Sequence, residues 1–211
     1  MTLRNPVSTE PGQPHEECGF VTGPEDRGAP LGLEKSVVSL SRYDPSWAVL
    51  GEKERTTVQG LLGELATDVQ HVGSTAVAGL DAKPILDIAV ALAPDRDRAT
   101  NEIVKRMEAN GYEYRADKGP DGGLLFVRAI GVVRTVHVHM VALDDPEWNR
   151  YIRFRDYLRA TPQRRDDYQR LKRQLATRHA ADRGAYTVAK TAFVVETLRL
   201  ARDQTTRTDR Q

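Results

Sequence analysis

The apolar segment KPILDIAVAL, residues 83–92, constrains the fold more than any other part of the sequence. A run this rich in β-branched and apolar side chains is typical of a central strand that is covered on both faces. Side chains alternate along a strand, so Asp87 and Ala89 share one face, while Ile88 and Val90 share the other. Because a buried carboxylate needs a partner, we expect Asp87 to belong to a polar site.

A second predicted strand, residues 134–141, carries two histidines on one face. Its sequence VHVHMV places His137 and His139 on one side and apolar residues on the other. A buried imidazole needs a hydrogen-bond partner or a metal, because an unsatisfied buried polar group costs roughly 1–3 kcal/mol. If this strand adjoins the strand of Asp87 with matching faces, the three side chains form an oxygen and nitrogen donor set for a divalent cation. The pattern alone fits an ordinary exposed sheet face equally well.

The turn Gly73-Ser74-Thr75, which follows a predicted strand, is a candidate phosphate site. Backbone N–H groups and hydroxyls in such a turn can hold a phosphate, and His71 is then expected at the same mouth. Lys83, just ahead of the apolar strand, would add positive charge, although a solvated lysine is the simpler interpretation. The chain has neither a P-loop nor the glycine pattern of dinucleotide-binding folds.

The last third of the chain is predicted to be helical and is dense in cationic side chains. Arg155, Lys172 and Lys190 are candidates for neutralising a phosphate, and Tyr168 and Tyr186 each lie one helical turn before a lysine. Most charges on such helices belong to a solvated face. Lys190 differs because it lies in the mostly apolar segment AYTVAKTAFVVETL, where a charge must either reach solvent or serve a site.

The predicted elements follow the order strand, helix, several strands with one helix among them, then a helical bundle, which defines an α+β chain. The predicted strands are 36–40, 68–72, 85–90, 112–115, 124–128 and 134–141. The predicted helices are 47–65, 96–110, 146–160, 163–180 and 184–201. The expected divisions are a disordered N-terminal tail over 1–34, an α/β core over 35–145, a helical region packed on the core over 146–202, and a disordered polar tail over 203–211.

Charge balance and cysteine content restrict the classes of function. Lys plus Arg number 31 and Asp plus Glu number 30, so the net charge of +1 gives no electrostatic footprint for nucleic acid or a membrane surface. The single cysteine, Cys18, excludes a disulfide framework within one chain. Because no secretory leader and no apolar stretch of about 18 residues occurs, we expect a soluble cytoplasmic protein.

Five segments together resemble the GrpB family, also called UPF0157, of the nucleotidyltransferase-fold superfamily. They span about residues 36–200 and read, in order, RYDPSW, HVGSTAVAGLDAKPILDI, VHVHMV, FRDYLRATPQRRDDYQRLKRQLA and DRGAYTVAKTAFV. The resemblance implies a nucleotidyltransferase-like α+β fold, with a short mixed β-sheet flanked by helices and a C-terminal helical bundle. In that superfamily a Gly-Ser turn precedes a strand with two carboxylates, which join a third in holding two Mg²⁺ ions on a nucleoside triphosphate.

Under this resemblance Gly73 and Ser74 form the turn, and Asp87 is the first carboxylate. Ala89 stands where the second carboxylate would be, and His137 and His139 stand where the third is expected. A site with fewer carboxylates retains two Mg²⁺ ions less well than a site with three, and imidazole favours metals softer than Mg²⁺. The resemblance therefore implies a divalent metal, Mg²⁺ or Mn²⁺ with Zn²⁺ as a further candidate. Either histidine is equally a candidate general base, because an imidazole titrates near neutral pH.

Three functions fit the sequence. The leading hypothesis is an enzyme that binds a nucleotide or another phosphorylated metabolite with a divalent metal and transfers a nucleotidyl group to an acceptor. The second is a non-catalytic sensor of such a ligand, in which the missing acids mark lost catalysis. The third is a protein-interaction module that uses its arginine-rich helices.

Overall fold

The structure is a computed structural model that describes residues 31–34, 37–93, 96–116 and 123–208. The strands are Leu33–Glu34 (β1), Ala66–Val72 (β2), Leu86–Leu92 (β3), Glu113–Tyr114 (β4), Leu124–Ile130 (β5) and Val133–Ala142 (β6). The helices are Ser46–Leu62 (α1), Arg96–Ala109 (α2), Pro146–Ala160 (α3), Pro162–Arg178 (α4), Arg183–Ala189 (α5) and Thr191–Thr208 (α6). Short 3₁₀ turns occupy Gly63–Leu65 and Ser74–Ala76.

The strands form one mixed sheet in the order β2-β3-β6-β5-β4, with β1 paired to β6. Strands β3 and β6 run parallel, and the other pairs are antiparallel. Within the parallel pair, Asp87 lies opposite His137 and Ala89 lies opposite His139. The prediction that the two strands adjoin with matching faces is therefore met.

One face of the sheet packs against α1 and α2 and forms the main core. Leu62 of α1, Met107 of α2 and Ile88 of β3 are all fully buried there. Burying a side chain of this kind contributes about 1.5–3 kcal/mol, so this core fixes which way β3 faces. With Ile88 committed to it, the alternation of the strand turns Asp87 and Ala89 to the opposite face.

Helix α3 covers part of that opposite face, and the last three helices pack around it. Trp148 of α3 rests on the small side chain of Ala89. Leu158 of α3 and Tyr168 of α4 are buried with Leu80, which follows the Gly-Ser turn. None of the helices in the described part of the chain is long and apolar enough to cross a membrane. The predicted α+β class, with a short mixed sheet flanked by helices and a helical C-terminal region, is confirmed.

The N-terminal part of the fold differs from its prediction. Residues 1–30, most of the predicted tail and Cys18 with it, lie outside the described residues, whereas the tail's last two residues form β1. The predicted strand over 36–40 is wrong, since residues 37–40 have no regular structure and only a single bridge at Ser41 follows. Val38 is instead buried against Leu175 and Tyr186, and its N–H donates to the carbonyl of Ala180 at 3.1 Å. Its apolar character therefore reflects packing on the helical region.

The C-terminal helices also differ from their prediction. The helix predicted over 184–201 is two helices, α5 and α6, which meet at Lys190. Helix α6 runs to Thr208, beyond the point at which a polar tail was expected. The break matters for the site, because it sets Lys190 at a junction between helices instead of on a continuous helical face.

Candidate functional site

One wall of the candidate site is built by the sheet. The Nδ1 of His137 lies 3.3 Å from Oδ1 of Asp87, and the Nε2 of His139 lies 3.6 Å from the same oxygen. One ligand atom from each of the three residues lies within 4.8 Å of the others. One carboxylate and two imidazoles suit a single transition-metal ion, Zn²⁺ or the harder Mn²⁺, better than a pair of Mg²⁺ ions. The donor set thus fits one metal.

The hydrogen bonds of His137 define its tautomer, that is, which ring nitrogen carries the hydrogen. A guanidinium only donates, and Nη2 of Arg183 lies 3.4 Å from Nε2 of His137. Nε2 is therefore the acceptor, and Nδ1 carries the hydrogen that it donates to Asp87. Burial lowers the pKa of His137 despite the carboxylate beside it. Burial acts to raise the pKa of Asp87, but its hydrogen bonds with the two histidines outweigh burial and hold that pKa well below its usual range.

The Gly-Ser turn closes over the carboxylate. Gly73 has φ +70°, and a Cβ at this position would lie 2.5 Å from Oδ2 of Asp87. Both the backbone conformation and the close approach require glycine. Thr75 is buried, with its Oγ1 2.9 Å from Nε2 of His71. The turn therefore presents the hydroxyl of Ser74 beside Asp87, while Thr75 anchors the turn to β2.

The second wall of the site is helical and cationic. Lys172 of α4 is almost completely buried, and its Nζ donates to the hydroxyl of Ser74 at 3.0 Å and to the carbonyl of Asp81. Burial lowers the pKa of Lys172, and the charge of Lys190 lowers it further. A phosphate within reach of this ammonium would offset the cost of burying its charge.

Two further lysines lie against the same aromatic ring. The Nζ of Lys83 is 4.4 Å from the ring centroid of Tyr186, and the Nζ of Lys190 is 4.5 Å from it. Burial, together with the charges of Lys190 and Arg183, lowers the pKa of Lys83 to about 7. Burial lowers the pKa of Lys190 to about 8. Cations crowded in this way are a favourable setting for an anion.

The two walls enclose a polar cavity of about 160 Å³. The predicted residues that line it are Ser74, Thr75, Lys83, Asp87, His137, Lys172, Tyr186 and Lys190. The lining residues that were not predicted from the sequence are Ile85, Arg183 and Thr187. Arg183 follows Asp182, whose side chain caps α5 by accepting from the N–H of Ala185. The sequence DRGA therefore signalled a helix start, but it did not indicate that the arginine faces the sheet.

Three residues assigned to the site lie elsewhere. Arg155 donates to the carbonyl of His71 at 3.0 Å and to Gln70 at 2.9 Å, and it lines a separate cleft. His71 lines that cleft too, and burial lowers its pKa to about 4, so it is neutral. Tyr168 is buried and stacks on Phe193 at 5.0 Å, although Lys172 lies 4.8 Å above its ring. Arg155 and Tyr168 therefore support the site from behind and do not line it, and the expectation that they contact phosphate is corrected.

Together, fold and site define an α+β protein with a mixed six-stranded sheet and a cationic pocket beside a carboxylate–imidazole cluster. A family model described as GrpB protein matches residues 37–200. The chain thus belongs to the GrpB family, and the resemblance drawn from the five sequence segments is confirmed.

Individual relatives agree with this assignment. The glutamate-rich protein GrpB of Alkalihalophilus pseudofirmus is 35% identical over 80% of this chain and 98% of its own length. The crystal structure of the conserved protein GrpB from Enterococcus faecalis has a TM-score of 0.71 at 31% identity, over 79% of this chain and 98% of that one. A dephospho-CoA kinase of Mycolicibacterium paratuberculosis is 27% identical over 81% of this chain, which spans only 47% of that protein.

Proposed function

We propose that this chain is an enzyme that binds a nucleotide or another phosphorylated ligand together with one divalent cation. The observation that supports this most directly is the half-open pocket that Lys83, Lys172 and Lys190 line together with Asp87. Phosphate is the biological anion whose charge and oxygen count best match several ammonium groups around one small cavity. The hydroxyl of Ser74, already bonded to Lys172, would add a donor to a phosphate oxygen.

Asp87 and His137 would hold the metal, which would replace the hydrogen that Nδ1 of His137 donates to Asp87. His139 would be either the third ligand or the general base, because a ring nitrogen bound to a metal cannot take up a proton. A divalent ion there would supply Lewis-acid polarisation of a phosphoryl oxygen. Ala89, which stands where the resemblance expects a second carboxylate, has no metal-binding group and is fully buried in a cluster with Trp148, so the proposal is a one-metal site. Of the two imidazoles, His139 is the better candidate for a general base, because both ring nitrogens of His137 already have partners.

Nucleotidyl transfer is the reaction that the nucleotidyltransferase-like fold implied by the sequence resemblance would favour. In that reaction an acceptor oxygen attacks the α-phosphorus of a nucleoside triphosphate, and pyrophosphate leaves with the electron pair of the broken P–O bond. The proton of the acceptor goes to a base, for which His139 is proposed. A sensor without catalysis is the second candidate, favoured by the single carboxylate.

Calorimetric titration tests the binding proposal. The ligands are nucleoside triphosphates, inorganic pyrophosphate and, because of the kinase relative, dephospho-CoA, each with and without Mn²⁺. We expect at least one phosphorylated ligand to bind, and Lys190→Gln to weaken it about tenfold or more, since charge-assisted hydrogen bonds contribute about 1.5–3 kcal/mol. Lys53→Gln, at an exposed lysine of α1, is the matched control and should leave the affinity unchanged.

Two results would count against the proposal. If none of these ligands binds at millimolar concentration, the pocket does not serve phosphate. If Lys53→Gln weakens binding as much as Lys190→Gln does, the attraction is a general charge effect. A triphosphate that binds without releasing pyrophosphate to any acceptor would favour the sensor over the enzyme.

A further inference from the structure

A second and larger cavity adjoins the polar cavity lined by Lys83, Lys172 and Lys190, which we call the phosphate pocket after the ligand proposed for it. It measures about 620 Å³ and opens between strands β5 and β6 and helix α5. His137 and Arg183 line both cavities, whereas His139 lines only the larger one. We name it the acceptor groove, and we propose that it binds a small organic anion with an apolar body, as the second ligand of the proposed reaction. The role of this ligand as an acceptor rests on the proposed function, whereas its binding in the groove does not.

The floor of the acceptor groove is apolar. Leu125 and Val127 of β5 lie opposite His139 and His137 in the sheet register, so all four side chains lie on one face. Val188 of α5 borders the same cavity and is 72% exposed. Cavities of about 300–1,000 Å³ with an apolar lining and a few polar groups are typical of small-molecule sites. A ligand here would cover apolar surface that is otherwise exposed to water.

The rim of the acceptor groove is cationic. Arg115, Arg134 and Arg183 all line it. Burial lowers the pKa of Arg134, and the charges of Arg183 and Arg115 lower it further, with Glu113 acting in the opposite direction. Glu113 is already paired with Arg115 at 2.8 Å. Three guanidiniums with one nearby carboxylate leave a positive rim, and charge complementarity therefore assigns a negative group to the occupant.

Arg183 provides an independent sign of a missing partner. Its Nη1 is buried and has no hydrogen-bond partner among the described residues, while its Nη2 is directed at His137. Buried polar nitrogens of native proteins are nearly always hydrogen-bonded. An anionic oxygen bound between the two cavities would satisfy this nitrogen. Since Arg183 and His137 are shared, a ligand in the groove would lie directly beside a ligand in the phosphate pocket.

The test uses 8-anilinonaphthalene-1-sulfonate, an apolar anion whose fluorescence rises on binding to apolar surface, titrated into the full chain. We expect saturable binding that Val188→Asp weakens about tenfold or more. The introduced carboxylate would face the sulfonate of the probe, and placing like charges together costs several kcal/mol, whereas a tenfold loss of affinity needs only about 1.4 kcal/mol. Arg134→Gln should also weaken the binding. The matched control is Val195→Asp, a half-exposed valine of α6 at a different apolar patch, and it should leave the titration unchanged.

The outcomes separate this proposal from the proposed function. Lys83→Ala should lose pyrophosphate binding in calorimetry and keep the fluorescent probe, while Val188→Asp should do the reverse. If wild type binds the probe through Val188 but binds no phosphate, the groove stands and the proposed function fails. The groove proposal is overturned if Val188→Asp and Arg134→Gln leave the probe unaffected, or if Val195→Asp removes it. It is also overturned if the wild-type chain is a dimer that Val188→Asp dissociates, since a second copy then occupies the groove.

Discussion

The two walls of the proposed phosphate pocket are built in different ways. The sheet wall presents Asp87, His137 and His139 from adjacent parallel strands, and their spacing follows from the backbone register. The helical wall presents Lys172 of α4, which is held by the carbonyl of Asp81, and Lys190 at the junction of α5 and α6, which lies over the ring of Tyr186. The sheet wall is therefore fixed by local alternation, whereas the helical wall depends on tertiary packing. In chemical terms, the first offers metal ligands and the second offers cations.

The largest effect is expected where the sheet wall loses its charge. Asp87→Asn keeps the shape of the side chain but removes the only anionic member of the three-residue cluster. Loss of a residue that merely supports a metal ligand typically costs 10–100-fold in affinity. We therefore expect Asp87→Asn to weaken Mn²⁺ or Zn²⁺ binding by at least about a hundredfold in calorimetry. Asp156→Asn, at a half-exposed acid of α3, is the control, and an equal loss in both variants would mean that the cluster is not the metal site.

The second effect concerns the charge of Lys83 and Lys190, the two lysines that lie against the ring of Tyr186. The pKa values of Lys83 and Lys190 are lowered to about 7 and 8, so both lysines lose protons as the pH rises from 7 to 9 in the free protein. A bound phosphate favours the charged forms and raises both pKa values, so binding takes up protons. Affinity for ATP should therefore fall about ten- to a hundredfold between pH 7 and 9, since each proton taken up contributes about tenfold per pH unit.

The proton uptake can be measured directly. Calorimetry in two buffers with different ionisation enthalpies should give a positive proton uptake near pH 8, and Lys190→Gln should reduce it.

The same lowered pKa values carry a consequence for the stability of the free protein. Burying charged lysines costs stability below their folded pKa values, so the ligand-free chain should become more stable as the pH rises from about 7 towards 10. Affinity that is flat with pH would show that the two lysines do not contact the ligand.

The third effect comes from the ring that lies between the two lysines. Tyr186→Leu removes the aromatic face that Lys83 and Lys190 both contact. Cation–π contacts contribute about 0.5–2 kcal/mol each, so losing one contact should lower ATP affinity about two- to thirtyfold, and losing both should lower it further. Tyr186→Phe keeps the ring and should remain within about twofold of wild type. Because Tyr186 is also buried, thermal unfolding of both variants must accompany the titrations. Equal loss in Leu and Phe variants would assign the effect to the hydroxyl and not to the ring.

The difference between the walls also explains what the sequence could and could not predict. The apolar run around Asp87 and the alternation of VHVHMV were sufficient to predict the sheet wall, because a strand has only two faces. Lys190 stood out by its place in a mostly apolar segment, and Lys172 by its position one helical turn after Tyr168. Helices dense in arginine gave no means of choosing which guanidinium points at which strand, so Arg155 was assigned to the pocket and Arg183 was missed.

The strand predicted over residues 36–40 was wrong for a related reason. The segment SVVSL has the composition of a strand, but a short apolar run does not determine which part of the protein it packs against. Val38 packs on the helical region, near Tyr186. Strand propensity measures how well a side chain fits a half-buried surface. An apolar residue in a buried loop lies in a similar environment, so propensity alone does not distinguish the two. Both errors concern contacts between distant parts of the chain, whereas the correct predictions depend on local periodicity.

The smallest effect on the pocket is expected for Arg155→Ala, and it tests the corrected assignment. Arg155 is buried behind the turn and donates to the carbonyl of His71 and to Gln70. Its removal leaves these acceptors without their charged donor, so the free energy of unfolding should fall by about 1–3 kcal/mol. ATP affinity should stay within about twofold of wild type, because Arg155 lines a separate cleft. Arg153→Ala, at an exposed arginine on the same helix, should change neither quantity. If the folded Arg155→Ala variant instead loses ATP, the phosphate site extends beneath the Gly-Ser turn into the cleft of His71, and the helical wall reaches further along α3 than the pocket does.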